Sequence, residues 1–335
     1  MYFFSNNSGM QGPSIIRRCP ARFYAVGLAL FTAAAFLFLL SCIFTDPAAA
    51  GSGTEQTEPK EIPGLPPEFG EVIYRINEKS PKQLYIIGIS HRNPATRLNG
   101  SNTVQTQTEI FRIGEWLNCN MGLELLLPEG YFRESQRYLP DRAANGRPAA
   151  VAVNNLFLHK MLADETTFVN AEMLLVEHFD MQASQVEDRS IYHAVRNSLG
   201  KLQTNGLDRL TTDETIAELL YLQQIRTAML LQNIPAVVEE ELDNGTIRNS
   251  SAMFTIGLNH IHEIIRYFEE NRILINAPSN AGNELGEYRD DINLLKKGYG
   301  ITIIIPRVLA DNRGLLQKTN LDRMLLAEGS MPVNQ

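Results

Sequence analysis

The sequence predicts an α/β protein: a mostly parallel central sheet flanked by helices, with a largely helical middle region. Two observations carry that expectation. The short runs Gln83 to Gly88, Leu123 to Leu127 and Ile301 to Ile305 are almost wholly apolar. They are too brief for helices and too uniform for strands with one wet face, so they read as strands covered on both sides. Between them stand stretches in which apolar residues recur at helical spacing, the β-α-β order that parallel strands require of their crossovers.

Ahead of the fold, Tyr24 to Phe44 is a stretch of 21 residues without a charge, long enough to span a bilayer. Arg17, Arg18 and Arg22 precede it and acidic sequence follows, which orients the N-terminus inside and the body outside the cytoplasm. Three fates fit residues 1–44: an uncleaved membrane anchor, a signal peptide cut after Ala48-Ala49-Ala50, and a lipoprotein signal in which Leu39-Leu40-Ser41 precedes an acylated Cys42. Residues 45–67, rich in Gly, Pro, Thr and Glu, read as a flexible linker. A single α/β domain is expected over 68–325, with 326–335 as a tail. The formal charge is −8 overall and −10 without the first 50 residues, and so acidic a body argues against nucleic acid as a partner. Of three cysteines only Cys119 falls in the domain, which excludes a disulfide framework or a thiolate metal cluster there.

Within the domain, Glu71 to Ile76 and Gln83 to Gly88 flank Asn77-Glu-Lys-Ser-Pro81 and suit a hairpin whose second strand is central. Thr106 to Asn118 follows as a helix, and Leu123 to Leu127 as a buried strand. Ala149 to about Gln232 is largely helical, with an amphipathic stretch from Thr212 and a short strand candidate near Gln182 to Val186. Ser251 to Gly257, His260 to Asn271, Ile273 to Ile275 and Ile301 to Ile305 continue as strand, helix, short strand and strand.

The chemistry is expected at two strand ends. Tyr85 to Gly88 delivers a glycine and then Ile89-Ser90-His91; Met253 to Gly257 delivers another and then Leu258-Asn259-His260. Ligands of open α/β sheets bind beyond the carboxyl ends of strands, and glycine there permits a sharp turn or a close approach. Two imidazoles presented at one sheet edge would share a divalent metal ion. The strand Leu123 to Pro128 ends in Glu129-Gly130, so Glu129 supplies a third ligand or a base for bound water. Glu124, inside the same run, reads as a sheet-surface residue. Glu187-Asp188 is either an acidic pair closing a strand or the acidic start of the next helix. Neither phosphate-binding glycine loops nor a G-x-S-x-G elbow occurs, and Ser90 beside His91 does not make a nucleophile.

The order G-x-x-H, apolar strand ending in Glu129-Gly130, then Arg248-Asn249 ahead of a second G-x-x-H, resembles the TraB/GumN/Tiki family and the wider EreA/ChaN-like group. The first motif here is Gly-Ile-Ser-His where many relatives open with Gly-Thr, and the second carries Asn259 before its histidine. The resemblance implies a three-layer α/β fold and one site built from His91, Glu129 and His260, with Gly88, Ser90, Glu187, Arg248, Gly257 and Asn259 about it. It implies a metal-dependent peptidase or esterase acting on a peptide or small molecule. The alternative it leaves open is an extracytoplasmic, lipoprotein-like module that holds haem, a peptide or a signal molecule without chemistry.

Overall fold

The computed structural model describes residues 64–90, 99–100, 102–133, 153–166, 169–203, 209–278 and 286–321. The hydrophobic segment with Cys42, nearly all of the linker, His91 and the tail lie outside them. Among the described residues no helix is long and apolar enough to cross a membrane.

Eight strands are described: β1 (Gly70–Ile76), β2 (Gln83–Ile89), β3 (Leu125–Pro128), β4 (Gln182–Ala183), β5 (Ala252–Gly257), β6 (Arg272–Ile275), β7 (Tyr288–Asp291) and β8 (Gly300–Pro306). Six form one mixed sheet in the order β1-β8-β2-β5-β3-β4, in which only β1 runs antiparallel. The helices are α1 (Thr103–Met121), α2 (Asn155–Ala163), α3 (Ala171–Phe179), α4 (Arg189–Gln203), α5 (Arg209–Asp243), α6 (Ile261–Glu270) and the short α7 (Asn293–Lys296), α8 (Arg307–Ala310) and α9 (Arg313–Lys318). The fold is therefore α/β with a mostly parallel sheet flanked by helices.

Alternate residues of each central strand enter two separate cores. Leu84, Ile86, Leu125, Leu127, Phe254, Ile256, Ile301 and Ile303 face α5 and α6. Tyr85, Ile87, Leu126, Met253 and Ile304 face α1, α2 and α3 on the other side. All seven residues of β8 and all six of β5 are buried. Uniformly apolar strands thus mark sheet positions wetted on neither face.

The expected hairpin does not form: β8 inserts between β1 and β2, pairing antiparallel with the first and parallel with the second. Burial explains the difference. β1 is mostly half-exposed and suits an edge, whereas β2 and β8 each need two neighbours. The connection from Asn77 to Lys82 need only step across one intervening strand, about 10 Å. It is fastened to the start of β8, since Asn77 Nδ2 donates to the Tyr299 carbonyl at 3.2 Å, and Gly300 N donates to the Lys82 carbonyl at 2.8 Å.

Other bounds shift modestly. The third strand begins at Leu125 instead of Leu123, and α5 runs past Gln232 through Pro235 to Asp243. Pro235 removes one helical hydrogen bond, but Ile234 and Val238 beside it are fully buried and hold that end in place. The short strand at Ile273 to Ile275 exists, yet it belongs to a separate two-stranded sheet with β7.

The path of the chain leaves a divergence at β5. After β2 and after β3 the chain crosses by helices on one face, and after β5 it enters α6 on the other. β5 lies between β2 and β3 in the sheet. Connections that part to opposite faces leave a crevice at the carboxyl ends of the strands.

Candidate functional site

At that crevice, β3 ends in Pro128 and hands the chain to Glu129. Gly130 follows at φ +71°, a left-handed turn that glycine adopts without strain. β4 ends four residues before Glu187. β5 ends at Gly257, after which a single 3-10 turn, Leu258–His260, leads into α6. Gly88 has a packing role here: a Cβ on it would come within 2.8–2.9 Å of Ile305 and Leu258. Its missing side chain makes room for the turn that carries His260, not for a ligand.

A residue that the motif reading passed over holds the centre. Arg226, on the buried face of α5, donates from Nε and Nη2 to Glu187 Oε1 and Oε2 at 2.8 and 2.5 Å, and from Nη1 to Glu129 Oε1 at 2.7 Å. Each carboxylate also accepts a backbone N–H from a neighbouring strand end. Gly257 N donates to Glu129 Oε2 at 2.6 Å, and Gly130 N to Glu187 Oε2 at 3.1 Å. Side-chain exposure is 10 % for Arg226, 9 % for Glu129 and 1 % for Glu187, so three charges sit out of water. Burial opposes the charge on Arg226, but the hydrogen bonds and charges of Glu187 and Glu129 outweigh it and raise the guanidinium above its ordinary value.

The next residue along α5 sets the histidine. Thr227 Oγ1 donates to the Gln223 carbonyl at 2.9 Å and lies 2.7 Å from His260 Nδ1. The hydroxyl thus lies against both the Gln223 carbonyl and Nδ1 of the ring, which fixes the ring's orientation and turns Nε2 toward Glu129. Nε2 stands 3.9 Å from Glu129 Oε1. A nitrogen and a carboxylate oxygen at this separation suit a shared cation, whose bonds to each run about 2.0–2.2 Å, or a bound water.

Glu129, Glu187, Gly257 and His260 are thus brought together. Ser90 follows β2 half-buried, Asn259 is exposed, and His91 lies outside the described residues. Arg248 is a correction. It precedes β5 and so lies at the amino end of the parallel strands, where its backbone N and its guanidinium meet Glu124, just ahead of β3. Among the described residues no group of three or more His, Cys, Asp and Glu stands in metal-holding geometry. A further buried acid, Glu172 on α3, accepts from Thr255 Oγ1 of β5 at 2.7 Å. The sequence did hold a signal for Arg226, the sole charged residue between Glu218 and Glu239 in a long apolar helix.

Fold and site together define an α/β protein with a buried acid–guanidinium–acid cluster and an oriented histidine at the carboxyl edge of its sheet. No family model, curated protein or solved structure matches the chain.

Proposed function

We propose that the chain is a metal-dependent hydrolase of peptide or ester bonds, akin to the TraB/GumN/Tiki group and its EreA/ChaN-like three-layer fold. It would work outside the cytoplasm, tethered through residues 1–44 or an acylated Cys42. One observation carries the reading: Nε2 of His260 and a carboxylate oxygen of Glu129 stand 3.9 Å apart at the strand-end crevice, with Thr227 Oγ1 2.7 Å from Nδ1 on the other side of the ring.

Glu129 and His260, with His91 from the segment after β2, would hold a divalent cation, which when bound lowers the pKa of a coordinated water and polarises a carbonyl. The remaining roles belong to the chain itself. Thr227 Oγ1 lies against Nδ1 and so keeps Nε2 turned toward the crevice. Arg226 fixes the plane of the Glu129 carboxylate through Nη1, while Gly257 N holds its other oxygen. Glu187, in turn, fixes Arg226.

The full chain, purified in mild detergent, is expected to bind about one divalent ion per molecule by elemental analysis and to lose it in His260→Ala and in Glu129→Gln. Metal content unchanged in both variants would sink the proposal. A Soret band on the isolated protein, with no metal-dependent cleavage of peptide or ester substrates, would replace it with the haem-holding alternative.

A further inference from the structure

A buried acid on the other face of the sheet takes no part in the cluster around Arg226. Glu172 stands in the first turn of α3 with 5 % of its surface exposed, beside the apolar residues that α1 and α3 press onto the sheet. Its Oε1 accepts from Thr255 Oγ1 at 2.7 Å, and its Oε2 has no hydrogen-bond partner among the described residues. The flanking backbone donors are spent elsewhere: Ala171 N donates to Gln107 Oε1 at 2.8 Å, and Met173 N to the Asn170 side chain at 2.9 Å. One neutral hydroxyl does not compensate a carboxylate taken out of water.

A second orphaned oxygen lies in the same wedge. Thr106 of α1 is fully buried, and its Oγ1 has no partner among the described residues. Other helical threonines of this chain bond back one turn, Thr108 to the Val104 carbonyl at 2.8 Å and Thr215 to the Thr211 carbonyl at 2.7 Å. Thr106 does not. With the fully buried Ile110, Ile113 and Leu117 it forms the i, i+4, i+7, i+11 side of α1, which faces the sheet. The bond from Ala171 N to Gln107 joins the residue after Thr106 to the residue before Glu172. Both orphaned oxygens therefore sit where α1, α3 and the sheet meet.

Two open oxygens and one uncompensated negative charge suit a hard cation, which takes oxygen ligands. The charge of that cation is set by the surroundings. A single carboxylate is balanced by one positive charge, and a divalent ion would leave an excess in an apolar core. The other buried acid of α1, Glu109, is engaged elsewhere, accepting from Val308 N at 2.9 Å.

We infer that Glu172 Oε2 and Thr106 Oγ1 are ligands of a monovalent metal cation, sodium or potassium, seated between α1 and α3. One residue connects this ion to the crevice. Thr255 donates its hydroxyl to Glu172, and its carbonyl accepts the Glu129 N–H at 3.0 Å. The ion thus buttresses the strand end from which Glu129 emerges. The site does not rest on the hydrolase reading.

Thermal unfolding of the full chain in sodium, potassium and choline chloride, at one matched ionic strength and with a divalent-ion chelator present, tests the ion apart from the Glu129–His260 crevice. The Tm is expected to be about 3–6 °C higher in one of the metal salts than in choline chloride, the shift for an ion at about tenfold its Kd. The salt with the larger rise identifies the ion. Glu172→Gln is expected to give the same Tm in all three salts. Thr106→Val, which removes one ligand and keeps the shape, is expected to need more salt for the same rise, and it carries the test where Glu172→Gln fails to fold. One wild-type Tm in all three salts means that a proton or a water serves Glu172, and it overturns the inference. So does a rise that either variant leaves untouched.

Discussion

The two ends of the parallel strands each carry a glutamate joined to an arginine, and the resemblance stops at composition. At the amino edge Glu124 meets Arg248, whose side chain is 81 % exposed. At the carboxyl edge Glu129 and Glu187 share an Arg226 that is 10 % exposed. In water the attraction within such a pair is offset by solvation and by the entropy of holding two long side chains. Out of water each partner is needed, because removing one strands the other. The inner cluster is also arranged differently, since its carboxylates additionally take N–H groups from the strand ends. The outer pair ties two chain segments together at the surface; the inner one fixes the geometry of a site.

The largest expected break in this contrast is Arg226→Leu, which strands two buried carboxylates and should destabilise the fold by about 3–5 kcal/mol, read from urea unfolding. Arg248→Gln should leave the unfolding midpoint in place. A double-mutant cycle sharpens the point: Arg226 and Glu187 are expected to couple by about 1.5–3 kcal/mol, while the Arg248–Glu124 cycle closes near zero. Should both cycles give the same coupling, burial is not what separates the two ends.

Thr227→Val tests orientation separately from charge, because it keeps the shape and removes the hydroxyl that lies against His260 Nδ1. Metal affinity is expected to fall about 10–100-fold, measured by competition with a chelating dye, in a protein that unfolds cooperatively as before.

A partly buried acid offers a milder comparison. Glu263 on α6 is pushed above the usual carboxylate range mainly by burial, and its hydrogen bonds and Arg266, 3.6 Å away, offset this only in part. Between the usual value and the raised one, the folded chain keeps a proton that the unfolded chain has lost. Its stability contribution is therefore full below the usual carboxylate range and is lost as pH rises through the folded value. Glu263→Gln should flatten that slope in unfolding curves taken across the range. The smallest effect expected is that of salt: molar sodium chloride should release the Glu124–Arg248 contact, seen as faster proteolysis near Arg248, and leave the Arg226 cluster closed.

The sequence made much of the fold legible because the strands that matter are buried on both faces and therefore uniformly apolar. β2, β5 and β8 announce themselves that way. The pairing of β1 was not legible, since a six-residue connection serves a hairpin or a step across one strand equally well. Nor was β7, whose Tyr-Arg-Asp-Asp has no apolar pattern and forms only through pairing with β6.

Of the site, Glu129, Glu187 and His260 could be read because they follow strand ends, where the backbone itself delivers them to the crevice. Arg226 and Thr227 come from mid-helix, and only the rotation of α5 brings them there. Arg248 misled for a related reason: nearness in sequence to a motif does not say at which end of a strand a residue emerges.

The adjacency of Arg226 and Thr227 on one helix has a consequence for how this site can change over time. One residue clasps both acids and the next steers the histidine, so a single rotational setting of α5 governs both functions. That setting is locked downstream by Gln232, which bonds Asp290 and the Asp291 carbonyl, and by Asn233, which bonds the Val186 carbonyl. Losing one residue between Thr227 and Gln232 would turn the helix by about 100° and disengage acids and histidine in the same stroke. Point changes can retune the two halves singly, but insertions and deletions in this stretch must be inherited or discarded with the whole site.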